Sequence, residues 1–292
     1  MEKRLILNLT ILNKEKRMKK YNFKENEVLV SGHRAESCFG LENTMSAIKR
    51  ALKLGVDMIE TDVHMTKDRE LILIHDNFLE RTTNGTGLVR EHTLSEINCL
   101  DATVNAKIKI LPEPPPTLNS FLKLMQEYPD VLLNIELKDY PEDGEDFAFE
   151  SADRICEMLI EYGMAERTWI NSFSGKLLEY VYKKYGNTFY YHGFYPWFIL
   201  GDMSLDPESF IDVACMQHRV QLEDGTIEKC TDNMCPKEWF DYLLSKDIMP
   251  LMAPSLKEYP LYDLAFSYGS RIVNADDPCA MLEHLRKSEL HK

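Results

Sequence analysis

From Val28 onward, short runs of β-branched and apolar residues alternate with longer segments whose apolar residues recur at helical spacing, and glycine or proline marks the junctions. This pattern predicts strands over 28–30, 58–63, 71–74, 131–137, 168–173, 188–191, 212–216, 248–252 and 271–274. It predicts helices over 42–53, 118–127, 147–162, 175–184, 237–245, 260–268 and 280–287. Such an alternation fits a single α/β unit, a (β/α)8 TIM barrel over 28–292, in which the strand at 71–74 is the hairpin partner of the one before it. The rival architecture, an open doubly wound sheet, calls for a G-x-G-x-x-G turn after the first strand, and Ser31-Gly32-His33-Arg34-Ala35-Glu36 is not one. Between Asp76 and Pro116 the alternation breaks. Long structureless loops are rare in compact domains, so residues 77–116 are expected to form a small inserted subdomain after the His75 strand.

The polar residues that interrupt this pattern gather at the carboxyl ends of the first strands, which in a barrel surround the mouth of the active site. Strand one runs into His33-Arg34, strand two carries Glu60 and Asp62, the next extended run ends in His75-Asp76, and the 131–137 strand leads through Glu136 to Lys138. Side chains alternate across a strand, so Glu60 and Asp62 share one face, as do Glu136 and Lys138. Three carboxylates converging in a mouth are costly without a cation, and oxygen donors suit a hard divalent ion. The bland alternative is that Glu60 and Asp62 form ordinary salt bridges with Arg34 and Lys138. His33 and His75 are placed to accept or donate a proton near neutral pH, and Arg34 suits bidentate phosphate recognition. Together the constellation points to metal-assisted phosphoryl chemistry. His64 shares the Glu60/Asp62 face and is expected to be a peripheral contact.

Charge changes this picture in two ways. With 34 Lys+Arg against 48 Asp+Glu, the formal net charge is -14, which disfavours a general nucleic-acid binder. The first 27 residues run the other way, with eight basic and four acidic side chains, so a basic N-terminal extension is expected to precede an acidic body. Its apolar run, Leu5 to Leu12, is broken by Asn8 and Thr10 and is followed by a basic stretch instead of a small-residue cleavage site, a poor signal peptide. No window approaches the roughly 20 apolar residues of a membrane span. The seven cysteines are scattered, and Cys230-x4-Cys235 lacks the partners of a zinc site, so reduced thiols in a cytoplasmic protein are expected. The aromatic stretch from Tyr190 to Phe198 reads as core and barrel-rim packing, with a wall for a lipid-like alcohol as the alternative.

The motifs resemble those of the glycerophosphodiester phosphodiesterases. The resemblance rests on His33-Arg34, Glu42-Asn43-Thr44, Ile59-Glu60-Thr61-Asp62-Val63, Thr66-Lys67-Asp68, Ile74-His75-Asp76, Arg81 through Gly87, Pro116-Thr117-Leu118, Asn134 through Lys138 and Ser172-Phe173, in that order. It covers about half the chain, from Val28 to Phe173. It implies a TIM barrel with an insertion, hydrolysing glycerophosphodiesters to glycerol 3-phosphate and an alcohol. It implies Glu60, Asp62 and Glu136 as ligands of one divalent metal ion, Mg2+ or Ca2+ with Mn2+ as a further candidate. His33 and His75 would be the acid/base pair, and Arg34 and Lys138 the phosphate clamps. A small-molecule diester is the implied partner, with neither nucleic acid nor an obligate protein partner indicated. The alternatives within reach are a lysophospholipase D-type diesterase on the same barrel and a non-catalytic phosphodiester-binding protein. The chain departs from the family where Ala35 and Arg69 replace usual glycines and Leu41 a proline, which should cost local geometry and spare the chemistry. It departs further at Met249-Pro250-Leu251-Met252 and Ala275-Asp276-Asp277-Pro278, in the half of the barrel that finishes the pocket.

Overall fold

The computed structural model describes residues 27–222, 224–229, 234–254 and 258–292. The basic extension up to residue 26, and Cys230 of the Cys230/Cys235 pair, lie outside the described residues. The strands are β1 (Leu29–Gly32), β2 (Met58–Met65), β3 (Leu71–Leu73), β4 (Leu132–Leu137), β5 (Thr168–Asn171), β6 (Tyr190–Tyr195), β7 (Val213–Met216), β8 (Arg219–Gln221), β9 (Ile227–Lys229), β10 (Met249–Met252) and β11 (Ile272–Ala275). The helices are α1 (Met45–Leu54), α2 (Leu94–Ile97), α3 (Leu118–Met125), α4 (Glu145–Glu161), α5 (Gly175–Tyr185), α6 (Lys237–Ser245), α7 (Tyr259–Ser267) and α8 (Pro278–Lys287).

Eight strands, β1, β2, β4, β5, β6, β7, β10 and β11, pair in parallel. The ring closes because β1 pairs with both ends of the series, Ser31 opposite Met58 of β2 and Leu29 opposite Ile272 of β11. This is the barrel that the alternation predicts, and β3 lies antiparallel on β2 as the expected hairpin partner, with Val63 opposite Leu73. That pairing also draws His64 and Met65 into β2, two residues past its predicted end. The strand predicted over 188–191 instead starts at Tyr190 and runs to Tyr195, because Gly186–Thr188 still turn as a 3-10 segment after α5. The aromatic stretch packs as expected: Tyr190, Tyr191 and Phe194 are buried, and Tyr195 meets Trp197 and Trp239 edge to face. No full helix follows β6, only the short turns Trp197–Leu200 and Pro207–Ser209, and β7 leads into the exposed β8–β9 hairpin, which the sequence pattern does not signal.

The helices begin and end where local chemistry requires it. Thr44 accepts the N–H of Ala47 at the start of α1, and Gly55, at φ +84, ends it in the left-handed conformation. Thr117 and Ser174 cap α3 and α5 in the same way. Between β3 and α3, α2 starts with a reciprocal Thr93–Glu96 capping box, and Leu79, Val89 and Ile97 pack with Ile72 and Ile74 in a cluster separate from the main core. Among the described residues no helix is long and apolar enough to cross a membrane.

The turn after β1 is the tightest point. Arg34 and Ala35 adopt φ +52 and +68, and Arg69 adopts +69, left-handed conformations that glycine adopts more readily. A Cβ on Gly32 would lie 2.1 Å from the carbonyl oxygen of Ala35, whose own N–H is held by Gly32 O and Glu60 O, each at 3.1 Å. Gly32→Ala is therefore expected to destabilise the fold by about 1–3 kcal/mol. A chemical-denaturation midpoint equal to that of the parent protein would show that this turn yields freely.

Candidate active site

Register brings the first acidic pair and the second together. β2 and β4 run in parallel with Glu60 opposite Asn134 and Asp62 opposite Glu136, so the inward faces of the two strands stack carboxylate beside carboxylate. Glu60, Asp62 and Glu136 are all buried, and each offers an oxygen within 4.8 Å of the others. Lys138, one residue past β4, also points inward, its Nζ 2.5 Å from Glu136 Oε1 and 3.2 Å from Asp62 Oδ1. The left-handed turn after β1 aims the Arg34 N–H at Glu60 Oε2, 2.7 Å away, and sets Arg34 Nε 3.6 Å from Asp62 Oδ2.

Burial and the neighbouring Asp62 charge push the Glu60 carboxyl up from its ordinary pKa. Burial would do the same to Asp62, but Lys138, His75 and Arg34 outweigh it and hold that carboxyl down. Lys138 is raised despite burial, because Glu136 and Asp62 face it. One carboxylate of the cluster thus carries the repulsion that the single ammonium leaves uncompensated. Asp62 Oδ1 is buried with the Lys138 ammonium 3.2 Å away as its ion-pair partner. An oxygen-only set of three buried carboxylates fits a hard divalent cation, and Glu60, Asp62 and Glu136 are the residues that could hold it.

The two histidines flank this cluster with matching support. His33 Nδ1 lies 2.6 Å from Asp276 Oδ1, and His75 Nδ1 lies 2.5 Å from Asp76 Oδ1. A carboxylate only accepts, so each ring presents Nδ1–H to its aspartate and keeps Nε2 for other chemistry. Burial lowers the pKa of His33, but the Asp276 bond and the Glu60 charge outweigh it, and the net shift is upward. For His75 burial prevails, helped by Lys138 and Arg34 against the opposing Asp62, and the net shift is downward. The charges of Glu60 and Asp62 are thus felt by His33 and His75 respectively, so the two rings lie near the carboxylate cluster. Of the ordinary salt bridges considered from spacing alone, those of Asp62 with Arg34 and Lys138 exist, whereas Glu60 is met by the backbone N–H of Arg34.

Several supporting residues escape a sequence reading. Asn43, at φ +58, donates from Nδ2 to Asp62 Oδ2 at 2.8 Å and accepts from Thr61 Oγ1 at 2.6 Å, which orients the carboxylate. Asp276 follows β11, and its partner His33 is 243 residues away, so no local pattern announces the pair. His64 sits to one side as expected, its Nδ1 2.8 Å from Asp139 Oδ1 and its Nε2 3.3 Å from the carbonyl of His75. Beside it opens a cavity of about 210 Å³, lined by Lys138, Tyr140, Phe147, Phe78, Leu88 and Arg90, where the insertion meets the barrel.

The Glycerophosphoryl diester phosphodiesterase family matches residues 33–217. A glycerophosphodiester phosphodiesterase of Caldanaerobacter subterraneus subsp. tengcongensis is 40% identical over 161 residues, which is 54% of this chain and 63% of that protein. One from Bacillus altitudinis is 35% identical over 136 residues, 45% of this chain and 52% of that protein. The chain thus spans less than two thirds of the length of these curated relatives. Among solved structures, an Oleispira antarctica phosphodiesterase in complex with the product sn-glycerol-3-phosphate superimposes with TM-score 0.69 at 19% identity, covering 88% of this chain and 96% of the other. A glycerophosphodiester phosphodiesterase of Agrobacterium tumefaciens gives TM-score 0.65 at 22% identity, covering 86% and 98%. At these identities the likeness is one of fold.

Proposed function

Because this chain belongs to the glycerophosphoryl diester phosphodiesterase family, we propose that it hydrolyses glycerophosphodiesters to glycerol 3-phosphate and an alcohol, as a cytoplasmic enzyme whose catalytic unit is 28–292 with its insertion at about 77–116. The observation that carries this reading is a buried three-carboxylate cluster flanked by two aspartate-paired imidazoles and two cationic side chains. A divalent ion held by Glu60, Asp62 and Glu136 would supply Lewis-acid polarisation and neutralise charge on the phosphate. Mg2+ or Ca2+ suits the donors, with Mn2+ as a further candidate.

Everything else falls to the side chains. Arg34 and Lys138 grip phosphate oxygens, the first with a fork of donors and the second as a point charge. His75, kept neutral by burial, takes the proton from the attacking oxygen through Nε2. His33, whose proton is retained by Asp276 and Glu60, gives it to the departing alkoxide. The aspartates hold each ring in the tautomer these tasks require. The cavity beside Lys138, walled by Phe78, Leu88 and Phe147, accommodates the alcohol portion of a small diester.

The direct test is release of glycerol 3-phosphate from a panel of glycerophosphodiesters, with lysophospholipids alongside. Release from the water-soluble diesters is expected. Turnover of lysophospholipids alone would move the assignment to the lysophospholipase D-type reaction, and tight diester binding with no product on any substrate would indicate a binding protein.

A further inference from the structure

One charged chain runs along the site with no task in the scheme above. Arg81, carried by the insertion, sets its guanidinium against two carboxylates at once. Nε and Nη2 lie 2.5 and 2.8 Å from Asp76 Oδ2 and Oδ1, while Nη1 and Nη2 lie 2.8 and 2.7 Å from Glu42 Oε2 and Oε1. Glu42 in turn accepts from Arg34 Nη1 at 2.9 Å, and Asp76 accepts from His75 Nδ1 at 2.5 Å. The backbone of Arg81 is itself pinned, its carbonyl accepting from Asn105 Nδ2. A planar fork with donors on two edges can join two carboxylates in fixed geometry, whereas a lysine would meet them as a point charge.

We infer that Arg81 is a positioning residue, which sets the phosphate clamp Arg34 and the imidazole of His75 in register with each other through Glu42 and Asp76. It touches no reacting atom. Without it, Asp76 loses the partner that fixes its orientation, and Glu42 is left to follow Arg34 alone. Both working groups would then drift relative to the phosphorus, and an error of about 1 Å in such a position can cost about 100-fold in rate. An isolated, half-exposed ion pair would contribute little; what gives this one leverage is that both of its carboxylates end on groups of the reaction. The assignment of tasks to Arg34 and His75 rests on the diesterase reading, while the chain of contacts does not.

The experiment compares the parent protein with Arg81→Met, Arg81→Lys, Glu42→Gln, Asp76→Asn and the Arg81→Met/Asp76→Asn double variant. Steady-state kinetics on glycerophosphocholine and the thermal midpoint are measured for each. Arg81→Met is expected to lower kcat by about 10- to 100-fold with a much smaller change in KM. Arg81→Lys should recover part of the loss, and the isosteric Glu42→Gln should reproduce it in milder form with an unchanged midpoint. The double variant should lose less than the product of the two single losses, because the two changes share the route through His75 and only the Glu42 route is separate. A kcat within about twofold of the parent in Arg81→Met, or losses that multiply in the double variant, would overturn the inference. A second readout needs no turnover: the nitrogen-15 signals of His75 should report an Nδ1–H ring in the parent and a tautomer mixture in Arg81→Met. Unchanged ring signals would equally overturn it. A parent protein that turns over no diester strikes the functional reading instead, and the ring signals still decide the role of Arg81.

Discussion

Exhaustive removal of divalent cations is expected to lower turnover by about 1000-fold or more, and addition of Mg2+, Ca2+ or Mn2+ to restore it, because a metal ion typically supplies several kcal/mol of transition-state stabilisation. The expectation follows from the carboxylate cluster. Three oxygens within 4.8 Å of one another repel by about 3 kcal/mol per ionised pair at an effective dielectric constant of about 20. Lys138 offsets part of this, since its Nζ reaches Glu136 and Asp62, but Glu60 is left buried and facing Asp62, and its carboxyl is pushed upward by burial first and by that charge second. A divalent ion held by Glu60, Asp62 and Glu136 would relieve this repulsion and would supply positive charge beside the phosphate. Asp62→Asn should reproduce the loss, because it deletes one of the three carboxylate charges that could hold the ion. A readout beyond activity is available: an ion that binds only the folded chain raises the denaturation midpoint, by about 2.7 kcal/mol of stability at a concentration 100 times Kd. Full turnover in chelator, with no midpoint shift on adding any of the three ions, would remove the metal from the mechanism.

Replacing either histidine by alanine should lower kcat by about 100- to 10,000-fold with modest effects on KM, since a proton transfer is lost and substrate binding is not. The shifts of the two rings give this a pH dependence. His75 must be neutral to accept a proton, and its depressed pKa moves the acidic limb of the rate profile to lower pH. His33 must be protonated to donate, and its raised pKa moves the alkaline limb to higher pH. The result is a broad bell. Asp276→Asn removes the negative charge that helps to retain the His33 proton, so the alkaline limb should retreat toward neutrality while the acidic limb stays in place. Near-parental kcat in His75→Ala, or an alkaline limb indifferent to Asp276→Asn, would undo the assignment of that ring.

Local patterns in the chain were enough for the β/α alternation, for the antiparallel partner of β2 and for the shared faces of Glu60 with Asp62 and of Glu136 with Lys138, because side-chain direction repeats every two residues along a strand. They also marked His33 and His75 as strand-end residues. What they did not contain is anything set by closure of the ring. β11 returns beside β1, and only that return carries Asp276 to His33 across the length of the chain. The fold likewise brings Arg81 to Glu42, 39 positions away in sequence, and builds the ion chain from Arg34 to His75. The β8–β9 hairpin was illegible for a different reason: its strands are three residues each and largely solvent-exposed, so no buried face imposes a period on them. Residue types and spacing thus determined the barrel and marked the candidate groups at its strand ends, since alternation and side-chain direction are local properties of the chain. The tertiary structure alone decided that Asp276 pairs with His33 and that Arg81 joins Glu42 to Asp76, since through-space pairing between distant segments leaves no trace in sequence order.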